Sequence, residues 1–399
     1  MSEPRRPRWL GIGFLSFALL GSLLSFALAG FQALAFASPQ SAADPSYSSM
    51  VAWGVLACCT MGFIGIRAAI LAGGVLAGAA APRSRPSTHW LWVFLLVPIG
   101  ISLNAAFSGE IPFTDPSYVV CNLTAASLAV LAIVLMLRWV GPPISARRAW
   151  GQFLLGLWGA VPIAVVIEVL VPIFAIILLQ LVPSIFSRLE AFYQQFRYQL
   201  MTPPLDSEAL LRQLVREPWL LVLSFGFAVV VIPIIEETAK TIAIWPFLRR
   251  RLSAEDAFLG GALAGAGFAL FEMYFLTEPA QRWPVTLVGR MLTSLMHCTA
   301  SGLASWALAE GIVRRNWRRL IKGYIGAVLL HGVWNASVLL QAASVLLPFA
   351  EPGSPLSFVP RGLPELSGII MVGLAAGTTI ALPWALVKLR EANGALVDS

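Results

Sequence analysis

Pro233-Ile234-Ile235-Glu236-Glu237-Thr238-Ala239-Lys240 places two carboxylates and an ammonium inside a run, Trp219 to Leu248, that is otherwise apolar. A charge at the centre of a bilayer costs roughly 2.5–3.5 kcal/mol on insertion scales. Three such groups in one span need partners on other spans. The stretch therefore reads as one member of an all-α bundle of membrane helices, because unpaired backbone is excluded from hydrocarbon.

The rest of the chain fits that reading. Of 399 residues 58% are hydrophobic and 12% charged, with a mean hydropathy of +0.79. A soluble domain carries about 25% charged residues. The net charge of +7 does not indicate nucleic acid, because the basic residues sit in short loops between apolar runs. Cys58, Cys59, Cys121 and Cys298 fall in apolar runs without a C-x-x-C pair. They read as small buried hydrophobes, not as a disulfide framework.

Apolar runs of spanning length lie near 10–36, 50–81, 89–108, 118–140, 152–183, 219–248, 257–277, 285–313, 323–347 and 366–388. About ten membrane helices are expected. The first run is too long for a signal-peptide core and is expected to be retained. Arginine and lysine clusters, such as Arg249/Arg250/Arg251 and Arg314/Arg315/Arg318/Arg319/Lys322, occupy every second loop. Both termini are therefore expected in the cytoplasm. Four regions follow: an N-terminal four-helix extension (1–150), a fifth helix with an outer amphipathic segment (151–217), a polar-bearing core (218–347), and a last helix with a short tail (348–399). Ile185, Leu189, Phe192 and Phe196 recur at helical spacing, so an interfacial helix is expected there. A second, capped by Ser207, is expected to run to Arg216.

Polar residues gather in four successive runs from Trp219 onward. Glu236 and Lys240 are four apart and share a helix face, whereas Glu237 points about 100° away. Glu272 follows a small-residue stretch suited to close helix packing. Arg290 and His297 are seven apart, and His331 and Asn335 four apart. Arg290 is expected to be a counter-ion for Glu237 or Glu272. Counted from the basic ends, Glu236, Glu237, Glu272, His297, His331 and Asn335 fall within a slab of roughly 12 Å.

Imidazole with carboxylate is a zinc donor set, and catalytic zinc keeps one position open for water. Glu272, His297 and His331 are the expected metal ligands. Glu236 or Glu237 would be the base acting on the metal-bound water, and Asn335 the oxyanion donor. The absence of H-E-x-x-H sets the chain apart from zincins. Intramembrane Glu, His and Lys also build ion relays, so a transporter or a silent scaffold stands as the alternative.

Glu236 to Lys240 matches E-E-x-x-K, Phe268 to Glu272 matches F-x-x-x-E, His297 is a lone helix histidine, and His331 to Asn335 matches H-x-x-x-N. In this order, over about 218–347, the set resembles the PrsW family of intramembrane metalloproteases. The related type II CAAX prenyl endopeptidases carry E-E-x-x-x-R and F-x-x-x-H instead. The resemblance implies glutamate-activated, metal-dependent hydrolysis of a peptide bond in a membrane protein substrate, with the lipid bilayer as the other partner. It implies Glu236 as general base, His331 and Asn335 at metal and oxyanion, and a bacterial cytoplasmic membrane as the location.

Overall fold

The computed structural model describes residues 8–36, 45–76, 83–84, 116–201, 218–248, 252–275, 283–343, 347, 360 and 362–397. Its elements are helical apart from one two-residue antiparallel pairing, Arg83–Ser84 with Ile144–Ser145. The helices are α1 (Arg8–Phe36), α2 (Pro45–Leu76), α3 (Pro116–Val140), α4 (Ala146–Leu179), α5 (Pro183–Met201), α6 (Trp219–Ala243), α7 (Ala254–Phe275), α8 (Trp283–Ile312), α9 (Trp317–Ala343) and α10 (Leu363–Val397). Within α4 and α6 lie single π-helical stretches, Leu155–Ala160 and Phe227–Val231.

Among the described residues, eight helices are long and apolar enough to cross a membrane. These are α1 to α4, α6, α7, α9 and α10, and not α5 or α8. The expected span at 89–108 and the short helix from Ser207 lie outside the described residues. In α8, Thr293, Ser294, His297, Thr299, Ser301 and Ser305 lower the hydropathy. Thr293, Ser294 and Thr299 return their hydroxyls to carbonyls four residues back, which removes the cost of carrying them through an apolar interior. In the C-terminal half of α4 apolar side chains point outward: Val166, Leu170, Phe174 and Ile177 are exposed. A surface that apolar belongs in lipid.

The chain divides into two compact units. The first takes in Met1–Val161, Thr238–Ala327 and Gly377–Ser399, and the second Pro162–Glu237 and Val328–Ala376. The first is built round α7, most of whose residues are buried. Glycine sets its packing. A Cβ on Gly267 would stand 2.0 Å from the carbonyl oxygen of Phe153 on α4, and one on Gly261 would stand 2.2 Å from that of Ser301 on α8. The backbones touch because no side chain intervenes. Arg148 at the start of α4 pairs with Asp256 of α7 at 3.2 Å, and Ser145 caps α4. Glu310, buried at the end of α8, binds Arg314 and Arg319, so the corner into α9 is closed by charge. Cys58 and Cys298 are fully buried, Cys59 is half-buried, and all three are free thiols.

In the second unit, α5 carries exposed Arg188, Gln194, Gln195 and Arg197. Pro233 governs the descent of α6 into the polar stretch. Proline has no N–H, and in the π-helical register, where the Ile232 N–H reaches the Phe227 carbonyl, the carbonyl left without a donor is that of Ala228, five residues before Pro233. The π-helical turn falls at this place. Asn335 Nδ2 of α9 donates to the Ala228 carbonyl at 3.0 Å. Gly332 brings α9 close, since a Cβ there would stand 2.5 Å from the Val229 oxygen.

Candidate metal centre

The polar residues of the second unit come together at the foot of α6. Glu236, Glu237 and His331 are all buried, Glu237 completely. Each offers one ligand atom, and these atoms lie within 4.8 Å of one another. His331 Nδ1 is 2.9 Å from Glu237 Oε1. An ionised carboxylate only accepts, so Nδ1 carries the hydrogen and Nε2 keeps a lone pair. That lone pair looks toward Glu236, whose Oε2 is 3.9 Å from Nε2. The gap is too long for a hydrogen bond. It leaves the Nε2 lone pair open to an ion, with the Glu236 carboxylate beside it. A histidine whose outer nitrogen is held by a carboxylate is the usual form of a metal-ligating histidine. Two buried carboxylates side by side also call for a cation. The donor set thus fits a divalent metal.

The first unit holds a second polar group. His297 Nε2 is 2.8 Å from Glu272 Oε2, and its Nδ1 is 2.8 Å from Lys240 Nζ. Lys240 is fully buried and lies 4.0 Å from the centre of the Phe268 ring. Glu272 is also within electrostatic range of Lys240 and Arg290. Asn335 lies one turn beyond His331 and spends one amide hydrogen on Ala228. Thr238, between the motif letters, shares a hydrogen bond with Tyr324 at 2.6 Å. The sequence puts Lys240 on the helix face of Glu236 without naming its partner, and Phe268 in a motif without a contact. The spacing of Phe268 four residues before Glu272 was the available signal, since it puts the ring and the carboxylate on one face of α7.

A model of the PrsW family of intramembrane metalloproteases matches residues 145–359, more than half of the chain. The chain belongs to the PrsW family. No curated protein and no solved structure matches it. The PrsW match is wider than the motif-bearing stretch: it begins at Ser145, the cap of α4, and takes in α4 and α5 as well as α6 to α9. Helices α1 to α3 and α10 lie outside it. As a member of a PrsW family of membrane peptidases with a buried Glu/His cluster able to hold a metal, the chain is a membrane protein with peptidase ancestry.

Proposed function

We propose that the chain is a zinc-dependent intramembrane endopeptidase that hydrolyses a peptide bond of a membrane-embedded or membrane-proximal protein. We place it in a bacterial cytoplasmic membrane with both termini inside, on the alternation of basic loops. One observation carries the reading. The His331 ring is fixed by Glu237 with its Nε2 lone pair facing Glu236 across 3.9 Å.

In this reading His331 is the anchoring ligand, with Glu236 and Glu237 beside it. A zinc ion held there would supply Lewis-acid chemistry, polarising a carbonyl and lowering the pKa of a water to about 7. Glu236 takes a proton from the attacking water and returns it to the leaving amine. Glu237 keeps the ring in the ligating tautomer. Asn335 has a second amide hydrogen beyond the one bound to Ala228, and that hydrogen is the donor for the developing oxyanion. Burial of Glu236, Glu237 and His331 keeps bulk water away.

The test uses protein purified into lipid nanodiscs, its zinc content and a model transmembrane peptide. Glu236→Gln is expected to lose about 10²–10⁴-fold in cleavage while keeping its zinc and its thermal stability. Undiminished cleavage by that variant, or by protein treated with a strong chelator, overturns the proposal. Solute flux without any hydrolysis would replace it with a transporter.

A further inference from the structure

Lys240 and Phe268 take no part in the chemistry proposed above, yet they form a defined device within the first unit. Lys240 is 0% exposed, in a helix long and apolar enough to cross a membrane. Its Nζ lies 2.8 Å from Nδ1 of His297 and 4.0 Å from the centre of the Phe268 ring. The face of an aromatic ring attracts a charged ammonium far more than a neutral amine, and most strongly where water is absent. A lysine ammonium has three donors and no acceptor. Nδ1 of His297 is then an acceptor, and a neutral imidazole that accepts at Nδ1 carries its proton on Nε2. Nε2 faces the carboxylate Oε2 of Glu272 at 2.8 Å, which completes a row of donors from Lys240 through His297 to Glu272. The Phe268 ring also packs beside the imidazole, with centroids 5.7 Å apart. One aromatic side chain thus seats both the ammonium and the ring it controls.

We propose that Lys240 is a positioning residue: seated over Phe268, it holds Nδ1 of His297 as an acceptor, fixes the ring with its proton on Nε2, and through it aims the carboxylate of Glu272. The E-E-x-x-K motif then sets two histidines in opposite states. Glu237 leaves His331 with a lone pair on Nε2, whereas Lys240 leaves His297 with an N–H there. Of the Glu272–His297 pair, the carboxylate is the half able to meet a cation. Only this last consequence rests on the proposed metal; the tautomer is a property of the metal-free chain.

The chain has three histidines, His89, His297 and His331. Full-length protein labelled with ¹⁵N in the imidazole rings, metal-free and in lipid bilayers, is therefore assignable by solid-state NMR with His89→Gln and His331→Gln as references. Protonated and bare ring nitrogens are well separated in ¹⁵N shift. The expected spectrum has His297 bare at Nδ1 and protonated at Nε2. Lys240→Met should release it to a mixture of tautomers, and Lys240→Arg, which keeps a cation without an acceptor, should restore the single form. A wild-type His297 protonated at Nδ1 overturns the proposal. So does a Lys240→Met protein that loses thermal stability with the tautomer unmoved, which marks a packing role alone. If Lys240→Met does not fold, the wild-type and Lys240→Arg spectra still decide. Loss of the peptidase reading would leave these spectra unchanged, so the two failures are distinguishable.

Discussion

At the scale of single residues, adjacent glutamates have separate tasks because a helix turns about 100° between them. Glu237 meets Nδ1 of His331 and Glu236 lies on the Nε2 side. Glu237→Gln therefore acts on the metal before it acts on the chemistry. An amide in place of the carboxylate no longer requires a hydrogen at Nδ1, so the ring loses its fixed tautomer. Outer-sphere changes of this kind cost about 10–100-fold in metal affinity. Zinc titration of the purified variant should read that loss. An unchanged affinity would show that Glu237 does not orient the ring. The division of labour between two carboxylates was legible from periodicity alone. Which histidine each would meet was not, because the partner sits on a helix about ninety residues away in sequence.

At the scale of elements, the join between α6 and α9 depends on the break at Pro233. The Ala228 carbonyl receives Asn335, and Gly332 leaves room for the Val229 carbonyl. Asn335→Ala would leave the Ala228 carbonyl without that donor in a low-dielectric setting, at a cost of about 1–3 kcal/mol. Gly332→Val would force a branched side chain against a backbone oxygen that cannot yield. Both variants should melt at lower temperature than wild type, Gly332→Val by the larger margin, in a thermal unfolding assay in detergent. Equal stability of Gly332→Val and wild type would contradict the close approach. Pro233 announced a break in the sequence, but the asparagine that answers it reads there as a catalytic amide. Its bond to a freed carbonyl is visible only once α9 is placed.

At the scale of the whole molecule, the polar groups are concentrated where the apolar surroundings give them no alternative to one another. Buried carboxylates facing an imidazole lone pair are stabilised by a cation, so metal and fold are linked. A ligand at a hundred times its dissociation constant adds about 2.7 kcal/mol to the folded state. Stripping the protein with a chelator should lower its melting temperature and abolish cleavage together, and zinc should restore both. Restored stability without restored cleavage would separate the metal from the peptidase chemistry.

The amino-acid sequence by itself determined the class of fold, the membrane setting, the four polar helices and the family, because hydropathy, loop charge and motif spacing are local properties of the chain. It placed the expected site residues at a similar depth, since rise per residue is fixed in a helix. Tertiary structure decided the pairings: Glu237 with His331, Lys240 and Glu272 on either side of His297, Phe268 under the ammonium, and Asn335 on Ala228. Those depend on how each helix is rotated about its own axis. That rotation is set by glycine contacts and a proline break between helices distant in sequence, and no single helix encodes it.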